Sequence, residues 1–512
     1  MICHVNTGVC DGIQGKLVVV ETDVTRGLPS FTIVGHPSQI VSESKERIRA
    51  AVSNSGFMYP RNRVVVNMWP AELRKTGSHL DLPIAMGVLG AGSYVDAEVM
   101  ENVGMLGELS LDGSTARVDG VLPIVMCLRE HGIDTILVPD ENYWEAVQGG
   151  KKGIIPVRSL RECFTIIQAM GRGDRPEICI PEKRAVLMPA CRGEKEISFD
   201  DVRGQSLIKR GMAIAAAGRH GILMVGSPGC GKTMLARRIR TILPPMTRRE
   251  MLETTMIYSA AGLLEETSAV TQRPYRNPHS TIGRAGLLGG GAYPVPGEIS
   301  LAHNGVLFLD ELPEFDHGTI DGLRTPAEDL EITHFRQGKA YRFPSDFMLV
   351  CAANPCKCGY LGDRTRECTC SQADIERYQK RLSGAMLDRI DIHVRMERVD
   401  YDQFSGGPSG IEQGISAEEM RKWVETAGKF RISAGRDRPP GRMDDDDLLG
   451  AAEMDDETDK LFHKAFDSLA LTPRTGMKVL RIARTIADME ESREIRFQHL
   501  SEALIYRPSE VF

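Results

Sequence analysis

The chain has 512 residues, of which 42% are hydrophobic and 26% charged, with 70 acidic against 63 basic residues and a formal net charge of −7. A chain of this length forms about three or four domains and buries several cores, so it needs no disulfide scaffold. Its net acidity excludes a protein that coats nucleic acid through overall basicity, whereas a local basic site remains open.

The sequence also argues against a membrane protein and against a secreted protein. No apolar run reaches about 18 residues, so we predict that the chain spans no membrane. Residues 1–15 lack a basic start and a long apolar stretch, so we expect no secretory signal. Apart from one group of four, the 12 cysteines are scattered, which is typical of a reducing compartment. We therefore expect a cytoplasmic protein.

Residues 1–170 alternate predicted strands and helices. Runs of β-branched residues bounded by turn residues indicate strands, and apolar residues at helical spacing indicate helices. The strands are predicted over 15–24, 63–67 and 135–139, and the helices over 38–55 and 80–89. We therefore expect an α/β domain here, followed over residues 171–198 by a linker rich in glycine and proline.

Residues 222–239 contain the strongest functional signal. An apolar strand is followed by the pattern G-x-x-x-x-G-K-T and then by a helix, which is the context that a phosphate-binding P-loop requires. Its glycines let backbone amides point at phosphate oxygens, and the helix start adds partial positive charge. We expect Lys232 to reach the β- and γ-phosphates of ATP and Thr233 to hold Mg²⁺. The predicted nucleotide-binding residues are Gly226, Ser227, Pro228, Gly229, Cys230, Gly231, Lys232 and Thr233.

Two further buried strands are predicted to end in polar residues. Asp310 and Glu311 follow the apolar run 305–309. Asp310 would hold Mg²⁺ through water and Glu311 would activate the attacking water, which favours a hydrolase over a nucleotide-binding switch. Asn354 ends the run 347–353, where its amide either bonds the γ-phosphate or the attacking water, or starts the turn before Pro355.

Four cysteines form the pattern C-x-C-x9-C-x-C at Cys356, Cys358, Cys368 and Cys370. Four thiolates can close a tetrahedral structural Zn²⁺ site, and a loop without a core of its own gains order from such a metal. C-x-C is tighter than the usual C-x2-C, so four reduced, unligated thiols are the alternative. A redox role is disfavoured, because nothing in the sequence indicates a lowered thiol pKa.

From residue 396 onward, helical spacing replaces the alternation of strands and helices. Helices are predicted over 417–430, 459–470, 473–489 and 496–505. Between them lies the acidic patch 443–448, which we expect to be a solvated loop.

The order of these motifs resembles that of the magnesium-chelatase-like AAA+ ATPases of the ComM/YifB type. The resemblance is carried by the P-loop, the Asp-Glu strand and residues 273–279, 296–303, 354–359, 387–391 and 483–487. It covers nearly the whole chain. It implies an AAA+ α/β core with a parallel sheet over 199–395, which contains the four-cysteine loop 356–370, and a helical lid domain over 396–512.

The resemblance also implies roles for single residues. Asn354 matches the sensor-1 residue, Arg389 the arginine finger that reaches the ATP of a neighbouring subunit, and Arg474 the sensor-2 arginine that opens a lid helix. The alternative for each arginine is an ordinary surface salt bridge. Without the family, that alternative would be favoured for Arg474. An arginine that acts on a neighbour implies a homo-oligomeric ring, expected to be a hexamer.

A predicted hairpin over 328–343, turning at residues 337–338, points into the ring pore in this branch of the family. Its basic residues Arg336, Lys339 and Arg342 either contact DNA phosphates or remain solvated hairpin charges.

Residues 1–170 resemble the proteolytic domain of Lon, which hydrolyses peptides with a serine activated by a lysine. Here Asp81 stands at the serine position and Leu122 at the lysine position, while Ser78 and Lys75 lie at other places. We therefore expect no proteolysis, and a domain that packs rings together or contacts DNA.

The resemblance implies a DNA motor, namely a branch-migration helicase used when imported DNA is integrated. Two alternatives stay open. One is a chelatase subunit that drives Mg²⁺ insertion into a porphyrin, against which the Lon-like domain and the four-cysteine loop argue. The other is a protein-remodelling ATPase.

Overall fold

The computed structural model describes residues 2–182, 197–264, 269–336, 338–381, 384–398 and 414–507. Parts of the predicted linker and lid, and Gln337 at the predicted hairpin turn, lie outside these residues. The described chain forms two α/β regions, each built on one large sheet, and a C-terminal group of helices.

The first region is built on a seven-stranded mixed sheet. Its elements are β1 (Ile2–Asp11), β2 (Gln14–Thr25), β3 (Ser30–Val34), α1 (Gln39–Asn54), β4 (Arg63–Trp69), α2 (Asp81–Ala91), α3 (Ala97–Met100), β5 (Val103–Met105), the short pair β6 (Glu108–Leu109) and β7 (Thr115–Ala116), α4 (Val121–Glu130), β8 (Thr135–Pro139), α5 (Tyr143–Ala146), β9 (Ile154–Val157) and α6 (Leu160–Gly171). The predicted strands and helices of this region are confirmed.

The strand order in this sheet is β3-β4-β2-β1-β5-β8-β9. β2 is antiparallel to both β1 and β4, whereas β5, β8 and β9 continue from β1 in parallel. Helices α1, α2 and α6 bury one face of the sheet, and α4 and α5 cover part of the other. Gly15 is required where α4 crosses β2, because a Cβ there would collide with the Pro123 carbonyl group.

The second region is built on five parallel strands in the order β11-β14-β17-β10-β18. Its elements are α7 (Ser206–Gly218), β10 (Ile222–Gly226), α8 (Lys232–Arg238), α9 (Arg248–Ala260), β11 (Tyr275–Arg276), α10 (Arg284–Leu288), β12 (Gly289–Gly290), β13 (Val295–Pro296), α11 (Glu298–Leu301), β14 (Val306–Leu309), α12 (His317–Asp321), α13 (Arg324–Asp329), β15 (Glu331–Arg336), β16 (Lys339–Pro344), β17 (Met348–Ala353), α14 (Gln372–Gln379), α15 (Gly384–Leu387) and β18 (Ile392–Met396). The central strands are apolar because both sheet faces are covered.

The C-terminal group comprises α16 (Ala417–Ser433), α17 (Asp445–Ala451), α18 (Asp456–Ser468), α19 (Pro473–Met489) and α20 (Phe497–Ile505). These helices share a hydrophobic core with α7 and with one face of the five-stranded sheet. The four predicted helices are confirmed. The predicted loop over 443–448 is wrong, because most of this patch forms the start of α17. Asp444 caps that helix, and acidic residues stabilise a helix N-terminus.

Among the described residues, contacts of the first region with the second include a buried one, a more exposed one and a cation–π contact of Arg74 with the Tyr293 ring, 4.0 Å from its centroid. In the buried contact, the Ser259 hydroxyl of α9 donates to the Glu145 carboxylate of α5 at 2.6 Å. In the more exposed one, the turn between β1 and β2 meets the hairpin of β15 and β16, where Lys339 Nζ lies 3.7 Å from the Asp11 carboxylate and Gly12 lies against Tyr341. None of the described helices has both the length and the apolar character needed to cross a bilayer.

Candidate nucleotide-binding and catalytic site

The P-loop joins the end of β10 to the start of α8, at the carboxyl edge of the parallel sheet. Gly229 and Gly231 have φ angles of 80° and 95°, in the left-handed region that glycine adopts without strain. Lys232 Nζ donates to the carbonyl oxygens of Gly226 at 2.5 Å and Ser227 at 3.1 Å. Burial lowers the pKa of Lys232, while Cys230 and Asp310 act against that shift.

Parallel strands bring the other predicted residues to the same edge. Thr233 at the start of α8 donates its hydroxyl to the Asp310 carboxylate after β14, at 2.7 Å. These two oxygens are hard donors of the kind that Mg²⁺ prefers, so the pair fits the metal. Glu311, next in the chain, is exposed and has a φ of 52°. Left-handed backbone at a non-glycine residue costs energy and is concentrated at functional sites.

Asn354, which follows β17, reaches the same group. Its side-chain oxygen accepts a hydrogen bond from Lys232 Nζ at 3.0 Å. The structure therefore brings together Lys232, Thr233, Asp310 and Asn354, with Glu311 adjacent to Asp310. These groups can hold a phosphate chain, a divalent cation and a water molecule at one sheet edge.

The four cysteines are also brought together. The sulfur of Cys356 lies 3.4 Å from that of Cys358 and 3.6 Å from that of Cys368, and all four sulfurs lie within 4.8 Å of one another. Sulfurs about 2.3 Å from a tetrahedral Zn²⁺ stand about 3.8 Å apart, so the group fits zinc. The backbone N–H of Cys358 donates to the Cys370 sulfur at 3.4 Å, as outer-shell groups do around metal ligands.

One of these thiols has an unusual acidity. Burial acts to raise the pKa of Cys358, but hydrogen bonds from the backbone N–H groups of Tyr360 and Thr369 outweigh it, and the pKa falls to about 6. The sequence could not indicate this shift, because the hydrogen-bond donors are set by the fold of the loop.

The structure adds a residue that the sequence analysis did not single out. The Ser227 hydroxyl of the P-loop donates to the carboxylate of Asp363, in the four-cysteine loop, at 2.5 Å. The only signal for this contact in the sequence is that Asp363 lies between the two cysteine pairs.

The two arginines predicted to act on ATP lie elsewhere. Arg389 and Arg474 both pair with the Glu328 carboxylate, at 2.8 Å and 3.0 Å. The three side chains line a cavity of about 540 Å³, together with Gly221 and Leu349 near the starts of β10 and β17. The P-loop follows the opposite end of β10, a strand length of about 16 Å away at about 3.3 Å per residue. The structure therefore does not bring either arginine to the P-loop of its own chain.

Asp81, which we matched by sequence to the Lon serine, begins α2, and its buried carboxylate forms an ion pair with the partly exposed Arg47. Its carboxylate accepts from Arg47 Nε at 2.6 Å and from Arg47 Nη2 at 3.1 Å. Leu122 is buried in α4. Ser78 donates to Glu108 and Lys75 to the Pro70 carbonyl, so these two side chains have different partners. Asp81 and Arg47 therefore form a structural ion pair, and the side chains around them do not form a serine–lysine dyad.

A parallel sheet whose carboxyl edge carries a P-loop, an Asp-Glu strand end and an Asn-tipped strand defines a P-loop ATPase of the AAA+ class. Family models match residues 198–404 (magnesium chelatase, subunit ChlI), 20–142 (subunit ChlI of Mg-chelatase) and 414–507 (magnesium chelatase, subunit ChlI C-terminal). The competence protein ComM of Haemophilus influenzae is 35% identical over 97% of this chain and 95% of its own length. The chain belongs to the magnesium-chelatase-like AAA+ ATPases of the ComM/YifB type.

Two further relatives agree with this assignment. The uncharacterized protein YifB of Escherichia coli is 34% identical over 98% of this chain and 96% of its own length. The Lon protease of Aster yellows witches'-broom phytoplasma is 24% identical over 30% of this chain and 20% of its own length. The expected fold class, with its Lon-like and AAA+ α/β regions and C-terminal helices, is thereby confirmed.

Proposed function

We propose that this ATPase is a ring motor that couples ATP hydrolysis to movement along DNA, as a branch-migration helicase in recombination or DNA uptake. The proposal joins the nucleotide site to a DNA-facing hairpin. One relative over nearly the full length is named a competence protein, and that name is consistent with a role in DNA uptake.

The observation that carries the proposal is the outward face of the hairpin formed by β15 and β16. Phe335 is 72% exposed there, and the Arg342 side chain is 68% exposed on the neighbouring strand. Phe335 pairs with Ala340 and Arg342 with Thr333, so the two side chains are diagonal neighbours on one face. An aromatic ring for stacking beside a cation for phosphate is the usual platform for single-stranded nucleic acid.

The other two cations of the hairpin point to the opposite face. Arg336 donates to the Gly291 carbonyl oxygen at 3.2 Å, and Lys339 lies 3.7 Å from the Asp11 carboxylate. Arg342 Nε lies 3.7 Å from the Glu331 carboxylate, but this pair is exposed on the same face as Phe335. Of the three basic residues considered from the sequence, Arg342 is thus the one we assign to DNA contact.

At the nucleotide, each side chain has a distinct role in the proposal. Lys232 binds the β- and γ-phosphates, and Glu311 orients and deprotonates the attacking water. Asn354 hydrogen-bonds the γ-phosphate or that water. Thr233 and Asp310 would hold Mg²⁺, which when bound neutralises charge on the phosphates.

The proposed ring follows from the position of Arg389 and Arg474. Both lie at the sheet edge opposite their own P-loop, on one cavity wall with Glu328. A neighbouring subunit that presents its P-loop to this cavity would receive both arginines, which would offset charge developing on its γ-phosphate. We therefore assign both to the neighbour's ATP, in a ring that we take to be a hexamer.

For the four cysteines, we propose one structural Zn²⁺ held by Cys356, Cys358, Cys368 and Cys370. The support is the approach of all four sulfurs to within 4.8 Å in a loop that has little core of its own.

The test of the DNA motor is the rate of ATP hydrolysis with and without nucleic acid. We expect single-stranded and branched DNA to raise the rate several-fold, with a stimulation that weakens as salt rises, because phosphate contacts release counterions. A rate that no DNA changes, at any salt concentration, would instead favour the chelatase subunit named by the family models or a protein-remodelling ATPase.

A further inference from the structure

The four-cysteine loop packs directly on the P-loop. Gly359, between the two cysteine pairs, has a φ of 85°, and a Cβ added there would lie 2.6 Å from Pro228 Cδ and 3.9 Å from Asn354 Cγ. The loop thus fills the space between the phosphate-binding turn and the Asn-tipped strand. Only glycine fits this position, for reasons of both space and backbone conformation.

Asp363 joins the two loops through its two carboxylate oxygens. One oxygen accepts hydrogen bonds from the Thr365 backbone N–H and hydroxyl, both at 2.8 Å, and from the Arg366 N–H at 3.1 Å. The other accepts the Ser227 hydroxyl at 2.5 Å and faces Arg398 at 3.8 Å. One side chain therefore shapes the cysteine loop and holds the P-loop at the same time.

The Asp363 side chain is only 4% exposed. A carboxylate that accepts four hydrogen bonds and is largely covered by its own partners is costly to displace, because losing a partner would leave part of its charge unsatisfied. Asp363 therefore fixes the hydroxyl of Ser227, and with it the start of the loop whose backbone amides cradle phosphate.

We propose that Asp363 is a positioning residue of the nucleotide pocket, and that the zinc-ordered cysteine loop forms one wall of that pocket. This proposal rests on the ATPase and zinc assignments made above. Loss of the metal would release the loop, its Asp363 carboxylate would no longer hold Ser227, and nucleotide affinity would fall although every P-loop residue is intact.

The test measures two quantities on the full chain, the zinc content per chain and the dissociation constant for a fluorescent ADP analogue. We expect Asp363→Ala to retain about one zinc and to bind the analogue on the order of tenfold more weakly, the loss expected for one charge-assisted hydrogen bond. Glu367→Ala, which removes the same charge from an exposed position of the same loop, should bind as the wild type does.

Two further measurements separate the steps of the proposal. Ser227→Ala and Asp363→Ala should not add in the double variant, because both remove one interaction. Wild-type protein stripped of zinc by a chelator should lose at least as much affinity as Asp363→Ala and should regain it when Zn²⁺ is returned.

Each contrary outcome overturns a different step. Wild-type affinity, or tighter binding, in Asp363→Ala overturns the positioning role. Undiminished affinity after zinc removal overturns the metal's part in the pocket. If the wild-type protein holds no zinc and Asp363→Ala still binds the ADP analogue weakly, only the zinc site is refuted. If the wild-type protein binds no nucleotide, the ATPase assignment itself is refuted.

Discussion

In the proposed mechanism, Lys232 serves nucleotide binding and Glu311 serves hydrolysis. Lys232 is mostly buried and held by two carbonyl oxygens and by Asn354, whereas Glu311 is exposed on left-handed backbone. Both were predictable from the sequence, because a P-loop and an Asp-Glu strand end are contiguous patterns. Asp363 was not, since its bond to Ser227 joins residues 136 positions apart.

This division gives a prediction for two variants. Lys232→Ala should abolish ATP binding, because the phosphates lose their cation. Glu311→Gln should bind ATP and hydrolyse it about a hundredfold or more slowly, because the water loses its base. Equilibrium nucleotide binding and phosphate release measure the two effects. Full turnover in Glu311→Gln would remove Glu311 from the mechanism.

Asp81 gives a prediction about pH. Burial raises its pKa from 3.8 to about 6, although Arg47 opposes the shift. Because the folded pKa lies above the unfolded one, the protonated group favours folding below about pH 4, and this contribution is lost as pH rises through 6. The stability of wild type relative to Asp81→Asn should therefore fall between pH 4 and 6.

Thermal unfolding across that pH range measures the difference. Asp134→Asn is the matched control, since the Asp134 side chain is 69% exposed in the same domain. It should follow the wild type at every pH. A difference between wild type and Asp81→Asn that is constant or rises from pH 4 to 6 would show that Asp81 does not titrate as described.

At the scale of elements, the hairpin of β15 and β16 shows that the periodicity of a sequence predicts strands but does not determine which face each side chain occupies. Two strands were predictable, but the face on which each cation lies depends on register and on neighbouring segments. His334 Nε2 donates to the carbonyl oxygen of Leu288, the last residue of α10, at 3.1 Å, and Phe335 on the opposite face of the strand is exposed. The acidic start of α17 was misjudged for a related reason, because charge indicates exposure and does not distinguish a loop from a capped helix.

The outward face yields a prediction for DNA-dependent turnover. Phe335→Ala and Arg342→Ala should each lower the DNA-stimulated ATPase rate several-fold while leaving the rate without DNA unchanged, since neither residue lies at the nucleotide. Arg342→Ala should also make DNA binding less dependent on salt. The slope of the logarithm of the binding constant against the logarithm of salt concentration should fall by about one, the value for one phosphate contact. Ile432→Ala on α16 removes an apolar side chain of similar exposure, 65%, and should change nothing. Equal losses in all three variants would assign the effect to folding.

For the whole molecule, the position of Arg389 carries the proposal that subunits cooperate in hydrolysis. The pairing of Arg474 with Glu328, 146 residues away, could not be read from the sequence, because it depends on how the C-terminal helices pack on the sheet. In the proposed ring, one chain would carry half of each of two ATP sites, with the P-loop at one sheet edge and the arginines at the other.

A mixing experiment tests this arrangement. Arg389→Ala chains should bind ATP but lose turnover by a factor on the order of a thousand. Mixed with Lys232→Ala chains they should regain part of it, because an intact P-loop then meets an intact arginine across one interface. Activity that never exceeds that of the separate variants, despite confirmed co-assembly, would place Arg389 in its own subunit's site or in a structural salt bridge.

Two of the contacts between the first region and the AAA+ core differ in burial and therefore in strength. Glu145 and Ser259 are both buried, whereas the Lys339 side chain that faces Asp11 is 49% exposed. Exposed ion pairs contribute little, and buried charged hydrogen bonds are costly to break. If the hairpin moves during the ATP cycle, the exposed Lys339–Asp11 ion pair can break while the buried Ser259–Glu145 hydrogen bond stays intact. In the proposed motor, the Lon-like domain would therefore stay attached to the AAA+ core through Glu145 and Ser259 while the hairpin moves away from Asp11.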